Sequence, residues 1–307
     1  MLDGSTPESI APDAGENAIN HEDQPVLKIR ASSKHLTLSC PQFTRTLHSG
    51  FQESHDLQKT GHLALEIENW DPTAFLVLLL ILHGRTRPVP RRMTLGKLAD
   101  FAVLVDYYEC HEAVEVFTDM WIGGLKRTAP TPAPTPASLA EAEEWLFVAR
   151  VFQQRETFAR ACGYLQRNLT SGFCSELPVS RRVCDAIDRS REDAIRAILD
   201  RLHDRVAGLR SDRVHCSYEC DCVLLGALMK HMRRLGILAK PPPPFEGIGL
   251  ERLAKEAPGV VVPRWYERGG EIQHSCLATL DFNSSLRGSG DALPGVDMEE
   301  LTELRRR

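Results

Sequence analysis

The densest apolar stretch of this chain runs from Trp70 to Leu125 and sets the pattern for the rest. It opens on Asp71-Pro72, an N-cap residue followed by proline at the first helical position, where the missing N–H costs nothing. The apolar run Ala74 to Leu82 follows and predicts a buried helix. The segment His83-Gly84-Arg85-Thr86-Arg87-Pro88-Val89-Pro90 then breaks the pattern. A second helix is predicted over Thr94 to Tyr108, with Leu98, Ala102, Val105 and Tyr108 on one face and Phe101 and Leu104 widening it. A third covers His111 to Ile122 on the stripe Val114, Phe117, Trp121, and Gly123-Gly124 is its predicted end.

On the N-terminal side the rhythm changes. Leu27, Ile29 and Ala31 alternate with polar positions, so Val26 to Ala31 reads as a strand. Ser32-Ser33 marks a turn, and Lys34 to Leu47 reads as two short helices meeting near Pro41, with Phe43 and Leu47 on one buried face. Gly50 to Gly61 is polar and predicts a loop. Leu63, Leu65 and Ile67 alternate again, a second, half-buried strand.

Thr128 to Pro136 is low-complexity and proline-rich, which excludes a helix interior and favours extended geometry. It is the predicted domain boundary; recognition by an aromatic groove is its other use. Helical spacing resumes over Ala140 to Arg150, with Trp145 and Val148 and Phe152 beyond, and over Thr157 to Leu169. After Leu177-Pro178, Ser180 to Gly208 is one long amphipathic segment on Val183, Ile187, Ala194, Ile198, Leu202 and Val206. Cys222 to Leu235 adds a further helix, closed by Pro241 to Pro244, and the pattern to Val262 is weak. The predicted organisation is therefore a disordered acidic tail over 1–24, a first domain over 25–127, a proline-rich linker over 128–138, a helical extension over 139–282 and a disordered tail over 283–307.

Charge narrows the function classes. The net charge is −5, which argues against direct nucleic-acid binding through a basic face. Arg181 to Arg213 looks basic, yet its nine Arg face seven Asp or Glu, so it is a mixed, solvated surface. Residues 1–24 carry six acidic residues and no Lys or Arg. No signal-peptide pattern is visible, and nine apolar residues at 74–82 cannot span a bilayer. The expectation is an intracellular protein of the cytoplasm or nucleus, without membrane contact. Its nine cysteines are then free thiols or metal ligands.

No phosphate loop, nucleophile elbow or His-Glu-x-x-His pattern occurs, and Gly247-Ile248-Gly249 is only half of a dinucleotide fingerprint. No catalytic residue is assigned. One cluster stands out: Cys216, Cys220 and Cys222 with His215, and about fifty residues on, His274 and Cys276. Two short pairs separated by a long loop suit a structural zinc tetrahedron, with Cys216, Cys220, His274 and Cys276 as the candidate ligands and Cys222 and His215 as spares. The competing reading is buried thiols at a helix start.

Several runs resemble the BTB/POZ domain in the form found in many filamentous-fungal proteins. They are Ser32-Ser33-Lys34-His35-Leu36-Thr37-Leu38 with Pro41 and Phe43; Asp71-Pro72 with Ala74-Phe75; His83 to Arg87 with Val89-Pro90; and Ala102-Val103-Leu104-Val105-Asp106 with Tyr108 and Cys110 to Glu115. The C-terminal half is similar to such proteins at Trp145, Phe152, Cys216-Ser217, Glu219-Cys220-Asp221, Leu225 to Leu228, Trp265-Tyr266 and His274-Ser275-Cys276. One departure is the polar, acidic sequence where the family has an earlier, Asp-led strand.

The resemblance implies an α+β fold, a small sheet capped by a helical cluster, followed by a mostly helical extension. It also implies a non-enzymatic protein-interaction module: a self-associating scaffold, a substrate adaptor on a cullin scaffold of a ubiquitin ligase, or a transcription-linked scaffold. The exposed-looking basic loop with His83, Arg85 and Arg87 is the candidate interaction surface. Against this, Gly84 would serve a turn and the arginines would be plain surface charge. The reading from another class is a zinc-dependent hydrolase at the Cys/His cluster, with Glu219 as the adjacent carboxylate.

Overall fold

A computed structural model describes residues 27–48, 50, 52–128 and 136–263. The described residues form eleven helices. The first six are α1 (Ser33–Ser39), α2 (Pro41–His48), α3 (Gln52–Thr60), α4 (Pro72–Leu82), α5 (Leu95–Tyr108) and α6 (His111–Thr128). After the proline-rich stretch come α7 (Leu139–Val151), α8 (Arg155–Asn168), α9 (Arg181–Arg210), α10 (Tyr218–Arg234) and α11 (Leu250–Glu256).

No strand occurs among the described residues, which corrects the expected α+β class and its small sheet. The two predicted strands are irregular segments instead, and Leu27, Ile29, Leu65 and Ile67 are exposed on them. Alternation reports a one-sided chain, but a strand also needs a partner aligned with it for hydrogen bonding. Neither segment has one among the described residues. Between them, the polar stretch 52–60 is not a loop but α3. Its sequence buries only Ser54, so no apolar period announces it, and left-handed Gly50 (φ +75°) and Gly61 (φ +71°) stand at its two ends.

The helices of the dense stretch follow the predicted signals closely. Asp71 caps α4, its Oδ1 accepting the Ala74 N–H at 2.7 Å, and Pro72 fills the first helical position. The other Asp71 oxygen pairs with Lys97 Nζ at 2.9 Å, which ties the start of α4 to α5. Burial pulls the Asp71 carboxyl upward, but the Lys97 ammonium and the cap bond outweigh it and hold it below its ordinary value. Thr94 caps α5, and left-handed Glu109 (φ 56°) ends it. Helix α6 runs through Gly123-Gly124 to Thr128. Two glycines cost roughly 1 kcal/mol each in a helix, and the burial of Trp121 and Ile122 just before them carries the helix past that cost.

The core divides in two. The first spans α1, α2, α4 to α8 and the start of α9, from Leu36 to Ile187, and takes in Trp145, Phe147, Val148 and Phe158 beyond the proline-rich stretch. That stretch therefore separates two helices that share one core. A largely buried ion pair, Arg150 to Asp106 at 3.1 Å, links α7 to α5 across it, with the Arg150 guanidinium 5.0 Å from the centre of the Phe147 ring. The second core holds Ile195, Ile198, Leu199 and Leu202 of α9 with α10, α11 and Phe245. Helix α9, 30 residues long, serves both cores through one continuous stripe.

Arg191 stands where the cores meet, fully buried. Its Nε donates to Leu169 O at 3.0 Å, Nη1 to Pro244 O at 3.1 Å, and Nη2 to Phe245 O at 3.1 Å and Ile248 O at 3.0 Å. Burial lowers its pKa, while Asp188, Glu192 and Glu246 work against that. Arg191→Met keeps length and apolar bulk but leaves four carbonyls without their donor. The expected loss is on the order of 3–5 kcal/mol of stability, read as a lower urea midpoint for the full chain.

Candidate functional site: the loop between α4 and α5

The loop 83–94 joins α4 to α5 and is braced at both ends. His83 receives the Ser32 N–H on Nε2 at 2.9 Å, and its Nδ1 lies 2.8 Å from Leu79 O. The Nδ1–H tautomer satisfies both bonds at once, donating to Leu79 and accepting from Ser32. The ring also stacks on His35, centroids 5.1 Å apart. Of the predicted surface residues, His83 is thus half-buried and spent on holding the chain entry in place.

Gly84 turns the chain at φ +65°, a value that favours glycine, and the Arg85 N–H donates back to Leu80 O at 2.8 Å. Val89 is buried, and its N–H donates to Thr86 O at 3.2 Å. Pro88 and Pro90 fix φ on either side of it. Trp121 of α6 donates its Nε1–H to Pro90 O at 2.8 Å while its ring meets Phe101 edge-on at 5.2 Å. The apolar side of the loop is anchored in the first core, and the polar side faces out.

Arg85 and Arg87 are exposed, as are Arg91 and Arg92, which the reading of residues 83–90 left out. The signal was present in the sequence: Arg91-Arg92 follows Pro90 directly, and no acidic residue stands between His83 and Thr94. None of the four arginines forms an ion pair with a described residue. The site presents four guanidinium forks to solvent, a geometry suited to carboxylate or phosphate oxygens.

The Cys/His cluster is only partly within view. His274 and Cys276 lie outside the described residues. Cys216 is exposed before α10; Cys220 is buried in the second core; Cys222, two positions on, is exposed on the other side of the helix. Asp221 holds His215 through the His215 N–H at 3.0 Å and Nδ1 at 3.2 Å. Glu219 is exposed. Among the described residues no three His, Cys, Asp or Glu side chains come together in a way that would hold a metal ion.

A groove of about 560 Å³ runs along α10, lined by Cys222, Gly226, Lys230, His231, Arg234 and Val261 among others. His231 is buried at its floor; Nε2 lies 3.0 Å from Glu256 O and Nδ1 receives Arg234 Nη2 at 3.0 Å. Burial and the Arg234 charge lower its pKa, although the Glu256 carbonyl opposes them. No helix of the described residues is long and apolar enough to cross a membrane. Comparison with protein-family models, with curated proteins and with solved structures finds no match.

Two outcomes follow from this geometry. Trp121→Phe keeps the ring and removes the bond to Pro90, so stability should fall by about 1 kcal/mol and backbone hydrogen exchange over 85–92 should quicken. His231 binds fewer protons folded than unfolded. Its contribution is intact above the ordinary histidine value of about 6.5 and is lost as pH falls from there through the lowered folded value. His231→Gln should flatten the decline in stability of the full chain below pH about 6.5, measured by urea titration at several pH values.

Proposed function

We propose that this chain is a non-enzymatic protein-interaction module, an adaptor whose working surface is the loop between α4 and α5. The observation that carries the reading is the braced presentation of Arg85, Arg87, Arg91 and Arg92, exposed and without ion-pair partners among the described residues. Here a glycine turn, two prolines, a buried valine and a tryptophan bond hold the backbone beneath the arginines. Pre-organisation of that kind lowers the ordering cost of binding. The sequence resemblance to BTB/POZ proteins, which rests partly on this loop, supports an interaction role through the helical elements.

A substrate adaptor on a cullin scaffold is the second reading. It requires the helices after the proline-rich stretch to dock on the preceding core, and α7 packs on α5 with Trp145, Phe147 and Val148 in the first core. A cullin scaffold recovered by the wild-type chain in a pull-down supports that reading; its absence removes it.

The direct test is affinity purification of the full chain from its native host beside Arg85→Glu/Arg87→Glu. The substituted chain should keep its thermal midpoint, since both residues are exposed, and lose the proteins that co-purify with the wild type. An unchanged set of co-purifying proteins would remove the loop from the working surface.

A further inference from the structure

The chain itself contains a complement to the arginine loop. Residues 1–24 carry Asp3, Glu8, Asp13, Glu16, Glu22 and Asp23, with no Lys or Arg among them. Nine basic side chains elsewhere among the described residues have carboxylate partners, such as Arg45 with Glu109, Lys97 with Asp71 and Arg252 with Glu256. The four arginines of the loop have none among the described residues, and they stand within eight positions of one another with no acidic residue between them.

The point of attachment matters as much as the charge. The Ser32 N–H donates to His83 Nε2 at 2.9 Å, so the N-terminal part of the chain joins the folded body at the first residue of the loop. From Gln24 to Ser32 is eight residues, at most about 28 Å of chain. The 24-residue acidic stretch thus begins within one short tether of Arg85 to Arg92. A tether of this length sets an effective concentration on the order of millimolar. Several exposed carboxylate–guanidinium pairs, each weak alone, then act together at no further cost of encounter. The loop backbone keeps four like charges close in sequence, so an arriving carboxylate relieves some of their mutual repulsion as well as forming its own pair.

We propose that the acidic stretch 1–24 docks on the four-arginine loop of its own chain, and that an external acidic segment reaches the loop only by displacing it. This rests on the reading of the loop as an interaction surface and adds the chemistry of what that surface accepts: a carboxylate-rich peptide. It also adds a built-in competitor.

The test uses a fluorescently labelled synthetic peptide of residues 1–24 and three full-length proteins. One is the wild type. The second carries Asp3→Asn, Glu8→Gln, Asp13→Asn, Glu16→Gln, Glu22→Gln and Asp23→Asn. The third adds Arg85→Gln, Arg87→Gln, Arg91→Gln and Arg92→Gln to the second. The labelled peptide should bind the second protein about tenfold or more tightly than the wild type, with an affinity that falls as salt is raised. It should not bind the third. Equal binding by the wild type and the second protein would overturn intramolecular docking. Equal binding by the second and third would place the peptide elsewhere and overturn it too, as would no binding by any of them. The resistance of the wild type should not depend on its own concentration. A resistance that grows with concentration would put the stretch on a second copy and also overturn the inference. None of these failures decides whether proteins co-purify through Arg85 and Arg87, which remains the separate test of the adaptor reading.

Discussion

One buried cation holds the two halves of this protein to a single geometry. Arg191 sits at the point of α9 where the stripe leaves the first core and enters the second, and it donates to four backbone carbonyls from two separate segments. Those carbonyls belong to the end of α8 and to the loop before α11, neither of which has a regular ladder to satisfy it. Among the described residues no carboxylate bonds to the guanidinium. Its charge is instead spread over carbonyl dipoles, with Asp188, Glu192 and Glu246 contributing at longer range. A buried cation is tolerable only where its donors are largely used, and four of the five guanidinium N–H groups are, three of them on the loop before α11, which leaves that loop little freedom in where it lies. Helix α9 then acts as the common beam of the two cores.

The same logic, a polar group used to fix irregular backbone, recurs at the loop between α4 and α5. There the fixing groups are His83, Gly84 and Trp121, and the payload is the row of arginines. The two places differ in the direction of the charge. Arg191 spends its guanidinium inward on carbonyls and presents nothing to a partner. Arg85, Arg87, Arg91 and Arg92 face solvent and have no ion-pair partner among the described residues, so their hydrogen-bonding capacity is available. A protein with a net charge of −5 that keeps a purely basic loop on a rigid base has separated its charges in space. Such separation steers an acidic partner to one face.

Helices with apolar periodicity and cap residues were readable from the chain. Asp71-Pro72 and Thr94 mark their starts as expected, and Val183, Ile187, Ile198 and Leu202 line α9 as their spacing implies. What periodicity could not carry was pairing. Leu27, Ile29, Leu65 and Ile67 alternate as strand residues do, yet alternation is silent on whether a partner lies alongside. Helix α3 was hidden for the opposite reason, since a helix that buries only Ser54 has no apolar rhythm to read. At the loop, the charge of Arg85 and Arg87 was legible but the role of His83 was not, because its two bonds reach Ser32 and Leu79, one of them 51 residues away. Arg91 and Arg92 lie beyond Pro90, which reads in the sequence as the end of the feature, whereas the bond from Trp121 places Pro90 inside the loop 83–94. Arg191 has no local signature at all: among the nine arginines from 181 to 213, nothing in the sequence sets it apart.

The central claim is that the loop between α4 and α5 is where this protein meets its partner. Hydrogen exchange read by mass spectrometry, on the full chain alone and with a partner recovered by affinity purification, tests it most directly. The account predicts slowed exchange over residues 84–93, with α10 and the groove beside it unchanged. Slowed exchange along α10 with the loop unaffected would contradict it.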